Sequence, residues 1–265
     1  MSGLADELLS NLEIWEVKSL SSHEQVISYN LKRLKEAMLN MGHLVDPLII
    51  DKKTGVVLDG NHRLKVLEII ECPLAACQVV DYSSDQIKVG TWYPVVSLNP
   101  DAVFHLDSLK HEKVDYETGK AAVDNLKAPF MLMSKDKEYH LINPGSYKLL
   151  EMVEEQNYVF SLLEKGSVDY IPDEEVQKGL ETGSSVFYRR SYTKEEIIKT
   201  AKDHKPFPPK STRHVIPGRI IRLNMKLGWL HRSKEEAVTE LQRMLTNRVY
   251  GGNVRKYYEP VIVIY

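Results

Sequence analysis

Two short stretches of this chain carry side chains suited to binding an anion such as phosphate. The first is Val57-Leu58-Asp59-Gly60-Asn61-His62-Arg63, where an apolar run gives way to an acid, a glycine and two basic residues. Asp59-Gly60-Asn61 is turn chemistry, and Leu64, Val66, Leu67 and Ile70 beyond it fall at helical spacing. A helix starting there aims its free N–H groups and positive dipole end outward, which makes a ready anion site. His62 and Arg63 in its first turn oppose that dipole, and make sense if they face an anion such as phosphate. The rival reading is a plain strand–turn–helix whose Arg63 pairs with Asp59 at the surface. The second stretch is Ser211-Thr212-Arg213-His214, approached by the stiff, proline-rich run from Lys205 to Lys210. Arginine forks onto phosphate or carboxylate, while Ser and Thr donate hydrogen bonds or assist magnesium. Its rival is a polar loop with a surface arginine. Glu24 lies three residues after Ser21, the spacing of a capping box.

These stretches need a scaffold, and 265 residues suffice for one large domain or two modest ones. Hydrophobic residues make up 43% and charged residues 27%, an ordinary globular balance that argues against disorder. A net charge of -2 gives no general pull toward nucleic acid. Cys72 and Cys77 lack CxxC spacing and read as core thiols of a reducing compartment. The other histidines, such as His43, His105, His111 and His140, have no metal-ligand spacing. No apolar run approaches a membrane span, and the acidic N-terminal stretch lacks a signal peptide's basic region. The expectation is a cytoplasmic protein without a membrane partner.

The patterning predicts an α+β chain. In a first domain, 1–98, Val26 to Met41 reads as a helix ended by Gly42. Pro47 to Asp51 and Val56 to Leu58 read as a hairpin around Lys52–Gly55, and Pro73 to Val80 as another strand. A second, smaller α+β domain, 99–192, has a hairpin around Lys135–Glu138 and a helix from Ser146 to Leu163. Strands at Val168 and Ser185 flank a helix containing Glu174 to Leu180. The return segment, 193–265, carries a helix from Lys194 to Lys202 and then the Ser211–His214 loop. A strand at Arg219–Leu223 follows, then a helix with Ala237, Leu241 and Leu245 at four-residue spacing, and a final strand, Pro260–Tyr265, packed on the body.

The strand–hairpin–turn–helix with Asp59-Gly60-Asn61-His62-Arg63 is similar to the ParB/sulfiredoxin-like nucleotide-binding fold, where a G-x-x-R or G-x-H-R turn holds phosphates. Three further stretches narrow the resemblance. His23-Glu24-Gln25, Thr91-Trp92-Tyr93-Pro94 and Pro209 to Pro217 look, in this order, like the free L-serine kinases, over about residues 20–217. The tail beyond Pro217 looks more like members that use ATP, including those feeding siderophore synthesis. Asn61 stands where the ADP-using form carries another histidine.

That resemblance implies phosphorylation of free L-serine to O-phospho-L-serine with magnesium and ATP or ADP, for cysteine or siderophore precursors. A serine hydroxyl is a poor nucleophile at neutral pH, so a carboxylate that accepts its proton is useful. Glu24 would be that general base, and Asp59 would bind magnesium or assist the hydroxyl, because phosphoryl transfer is mostly positioning and charge neutralisation. Gly60, Asn61, His62 and Arg63 would cradle nucleotide phosphates. Ser211, Thr212, Arg213 and His214 would close on the transferred phosphate from the far side of a two-sided cleft. Trp92, with Thr212 and Arg213, would form the serine pocket. The alternative function is a ParB-like nucleotide-dependent DNA-binding transcriptional regulator. It would want a helix-turn-helix and a basic face, and neither stands out. A sulfiredoxin-like reductase would need a cysteine in the turn, where Asn61 and His62 stand instead.

Overall fold

A computed structural model describes residues 2–97, 100–105, 109–163, 168–181 and 185–257. The expected strand Pro260–Tyr265 lies outside the described residues. The chain forms two compact units. One is Met1–Ser21, Val26–Asp81 and Gly218–Tyr265; the other is Ser22–Gln25 and Tyr82–Pro217. The sequence drew its first boundary at residue 98 and kept 193–265 apart. Two features explain the difference. Ala237, Leu241 and Leu245 of the late helix join the same core as Leu12, Leu48 and Leu64. Strand Trp92–Val96 pairs instead with Val168–Pro172 and Ser185–Tyr188.

The first unit holds a sheet ordered Leu12–Glu16, Leu74–Val80, Leu48–Asp51, Val56–Asp59, with Ser21 at its edge. The expected hairpin forms, closed by Asp51, whose Oδ2 accepts the Thr54 N–H at 3.0 Å and the Thr54 hydroxyl at 2.6 Å. Leu48–Asp51 then runs parallel to Leu74–Val80, the connection passing through helix Asn61–Ile69. Helix Ser28–Met41 ends at Gly42, whose φ of 67° suits a left-handed cap. It starts two residues later than the sequence predicts. Late in the chain, helix Lys234–Tyr250 opens with a Ser233/Glu236 capping box. The strand expected at Arg219–Leu223 does not form, because Arg222 (φ 56°) and Asn224 (φ 48°) leave the extended region. The strand there is Met225–Lys226, paired with His43–Leu44. The Gln78 amide ties this return segment down: Nε2 donates to the Gly218 carbonyl and Oε1 accepts the Ile220 N–H, both at 2.9 Å.

The second unit holds a six-stranded antiparallel sheet ordered Val168–Pro172, Trp92–Val96, Ser185–Tyr188, Phe130–Met133, Tyr139–Ile142, His111–Val114. Period-two alternation sorts its faces. Val96, Phe130, Leu132 and Phe187 pack on one side with Val159 of helix Leu149–Leu162. Val95, Met131, Met133, Val186 and Tyr188 pack on the other, toward Val176 and Leu180 of the short helix Val176–Glu181. Among the described residues no helix is long and apolar enough to cross a membrane.

Candidate functional site

In the first unit, strand Val56–Asp59 turns directly into helix Asn61–Ile69 through Gly60, at φ 103°. A side chain there would be strained in φ and would place its Cβ 2.8 Å from Leu48 Cδ2 and 3.1 Å from Arg63 Cζ. The first-turn N–H groups follow, as an anion site requires. The two basic side chains beside them are engaged within the protein, however. Arg63 donates to the Asp46 and Pro47 carbonyls and to Asp59 Oδ2. Arg219 reaches the same Oδ2 at 2.6 Å. His62 Nε2 accepts the Ile27 N–H at 3.0 Å, so this nitrogen carries no proton, and the ring caps the start of helix Ser28–Met41. The strand–turn–helix and the Asp59–Arg63 pair of the plainer sequence reading are both present. Burial works to raise the Asp59 carboxyl pKa, but the charges and hydrogen bonds of Arg63 and Arg219 outweigh it and leave the group below its ordinary value.

In the second unit, Glu24 lies in an extended segment beside Phe207: Gln25 N–H donates to the Phe207 carbonyl, and Phe207 N–H to the His23 carbonyl. No capping box forms with Ser21, because Ser21–Ser22 is a strand and the helix begins at Ser28. The Glu24 carboxylate grips the late loop instead. Its Oε1 accepts the N–H and hydroxyl of Thr212, each at 2.6 Å, and Oε2 accepts the Lys210 N–H at 3.2 Å. His23, 1% exposed, bonds the same Thr212 Oγ1 through Nε2 at 2.7 Å. An ionised carboxylate only accepts, so Thr212 donates to Glu24 and His23 Nε2–H donates to Thr212. The His23 ring meets His214 edge-on at 5.2 Å, and His214 Nε2 bonds the buried Tyr82 hydroxyl at 2.8 Å. Two motifs about 190 residues apart thereby share one buried polar network.

The loop is anchored by a residue the motifs did not flag. Arg189, fully buried, donates to the Trp92 and Lys210 carbonyls and to the hydroxyls of Thr91 and Ser211. Thr91 in turn donates to the Ser211 carbonyl at 3.0 Å. The available signal was Arg189-Arg190 directly after an apolar strand, a position where a charge is either a surface cap or a buried anchor. Arg213 begins strand Arg213–Val215, and its Nη1 sits 2.7 Å from both oxygens of Glu174 and 3.4 Å from Asp173 Oδ1. Its hydrogen bond holds Glu174 down to about 2, whereas burial and then the side-chain hydrogen bond and charge of Glu174 push Asp173 up. The Trp92 ring has two cations near its face, Lys210 Nζ at 5.4 Å and Arg213 Cζ at 5.5 Å. Trp92, Thr212 and Arg213 therefore lie in one neighbourhood.

Among the described residues, no group of three or more His, Cys, Asp or Glu side chains is arranged to hold a metal ion. Magnesium commonly takes one or two protein carboxylates and completes its shell with water and substrate phosphates. Asp59 fits that limited part: its hydrogen bonds run through Oδ2, leaving Oδ1 as a candidate ligand. Cys72 and Cys77 are buried free thiols, and burial raises both pKa values.

No protein-family model matches the chain. It is 27% identical over 225 residues to an ADP-dependent L-serine kinase of Thermococcus kodakarensis, covering 80% of this chain and 90% of that protein. It is 28% identical to an ATP-dependent L-serine kinase of Staphylothermus marinus, covering 76% of this chain and 84% of that one. A free serine kinase solved in complex with AMP superposes with a TM-score of 0.71 at 25% identity, over 83% of this chain and 93% of its own. The fold is thus the expected α+β fold, shared with that free serine kinase. The chain is similar to the free L-serine kinases, the family its four motifs resemble.

Proposed function

We propose that this protein is a kinase that transfers a phosphoryl group from ATP or ADP to the hydroxyl of free L-serine, giving O-phospho-L-serine. The observation that carries the reading is the Glu24–Thr212 network, in which an acid from the His23-Glu24-Gln25 motif is held by the Ser211–His214 loop. Three hydrogen bonds orient the carboxylate, which supports reading it as the general base that takes the serine proton. The proton passes to Glu24 as the serine oxygen bonds to phosphorus, and the bond to the bridging oxygen of the departing nucleotide breaks.

The remaining roles follow chemistry. Gly60 and the helix-start N–H groups of Asn61 and His62 would receive nucleotide phosphates. Arg63 shapes that turn through Asp59 and two carbonyls and adds charge without leaving them. Asp59 Oδ1 would hold magnesium, which neutralises phosphate charge when bound. Trp92 would wall the serine. Arg213 would exchange Glu174 for the product phosphate, trading a solvent-screened carboxylate for a stronger dianionic partner.

The test is incubation of the purified chain with L-serine, magnesium chloride and either nucleotide, followed by phosphorus NMR. O-Phosphoserine is expected, and Glu24→Ala should lower turnover at least about a hundredfold. If serine and nucleotide bind yet neither donor gives product, the kinase reading is wrong. Near-normal turnover in Glu24→Ala would move the base elsewhere.

A further inference from the structure

The second unit contains a cavity of about 390 Å³ lined by four tyrosines (Tyr93, Tyr116, Tyr139 and Tyr188) with Asp173 and Glu174. Tyr93 and Tyr188 lie tilted at 5.4 Å, and Tyr116 meets Tyr139 edge-on at the same distance. The volume is in the range of small-molecule sites. Tyr116 is 38% exposed, so solvent reaches the lining. Nothing in the proposed phosphoryl transfer uses these rings.

The charges facing the cavity do not balance. Asp173 and Glu174 share one cation, Arg213, among the described contacts. The neighbouring Lys120 is matched by Asp124, to which Tyr188 also donates. With both carboxyls ionised, one carboxylate charge is left beside a set of π faces. Such a wall attracts a cation through both the ring quadrupoles and the carboxylate, and repels an anion. Lys120 Nζ, 5.6 Å from the Tyr188 ring centroid, shows one of these rings already accepting an ammonium.

We propose that this cavity binds a small organic cation, an alkylammonium bearing no carboxylate, between the tyrosine rings and the Asp173–Glu174 pair. The missing carboxylate separates this ligand from an amino acid, whose own charge would meet those two acids. The cation and Arg213 draw on the same carboxylates, so they compete. Occupancy of the cavity thereby loosens Arg213, and by linkage any anion that withdraws Arg213 favours occupancy.

The experiment is calorimetric and NMR titration of the full chain with tetramethylammonium chloride, with sodium chloride as the matched salt. Saturable binding in the millimolar range is expected. Glu174→Gln and Tyr116→Ala should each weaken it at least about threefold. Both positions are exposed enough for the variants to fold, with Glu174 65% exposed at its side chain. Arg213→Gln removes the competitor and should tighten binding about two- to fivefold, the scale of an exposed ion pair. L-Serine should not displace the probe. Lack of saturation by about 50 mM, equal affinity in Glu174→Gln and Tyr116→Ala, weaker binding in Arg213→Gln, or displacement by serine would each overturn the proposal.

Discussion

Thr212→Val tests the network around Glu24 with little change of shape, since valine nearly matches threonine in volume. The hydroxyl does two jobs: it donates to Glu24 Oε1 at 2.6 Å and accepts from His23 Nε2 at 2.7 Å. Loss of the first removes a hydrogen bond to a charged group, worth about 1.5–3 kcal/mol. Glu24 keeps the Thr212 and Lys210 N–H donors, so its carboxylate is not orphaned. The second loss is less forgiving. His23 is 1% exposed, and its Nε2–H would face a methyl group with Glu24 Oε1 3.8 Å away as the acceptor left nearby, a poorly served buried donor costing about 1–3 kcal/mol. Contributions within one network do not simply add, so the expected total is about 3 kcal/mol. For a protein of this size that lowers the melting temperature by about 6–12 °C. Thr212→Ser keeps both bonds, loses one methyl group and should cost about 1 kcal/mol. The assay is thermal unfolding of the three proteins at pH 7. If the valine variant melts within about 2 °C of the serine variant, the hydroxyl does not bridge His23 and Glu24, and the polar network fails as an account of the site.

Asp59→Asn should lower stability by about 1 kcal/mol at pH 7, a solvent-discounted figure because the carboxyl is 35% exposed. The Asp59 pKa is depressed in the folded state, so its contribution is full above the unfolded value near 3.8 and disappears as pH falls through the folded value. Denaturation curves of the two proteins should therefore converge in acid, and a constant gap would refute the arginine clamp. Gly60→Ala combines a φ of 103° with a 2.8 Å approach to Leu48 and should cost about 2 kcal/mol in urea unfolding. Arg189→Lys cannot match four acceptors with one ammonium; a loss of about 3 kcal/mol is expected, read from the same unfolding assay.

Local chemistry was legible in the chain; long-range partners were not. Asp59-Gly60-Asn61 announced a strand-to-helix turn because glycine and the switch from strand to helical periodicity are signals carried by neighbours. Ala237, Leu241 and Leu245 marked a buried helix face for the same reason, and all three are in the core. Glu24 was visible as an acid beside a helix, but its spacing from Ser21 pointed to a cap. Its partners, Lys210 and Thr212, lie more than 180 residues away. The helix start is served instead by His62, another distant group. Arg189 was silent because its four acceptors come from two separate segments. Arg213 read as an anion binder, which its guanidinium permits, yet Glu174 is the anion that meets it. The Arg219–Leu223 strand failed because left-handed Arg222 and Asn224 break a run whose composition looked extended.

The three-segment build of the first unit has a consequence for its biosynthesis. Asp59 and Gln78 leave the ribosome well before Arg219, Gly218 and Ile220, which complete their bonding. At about 5–20 residues per second, the interval between Asp81 and Gly218 lasts about 7–27 s. Through that interval Asp59 lacks one of its two cations, and the apolar side chains that await Leu241 and Leu245 face water or a chaperone. The intervening chain holds nearly all of the second unit, which can close on itself first. A nascent chain stalled before residue 218 should therefore present a folded later unit and an unfinished earlier one, reversing the order in which the two begin to be made.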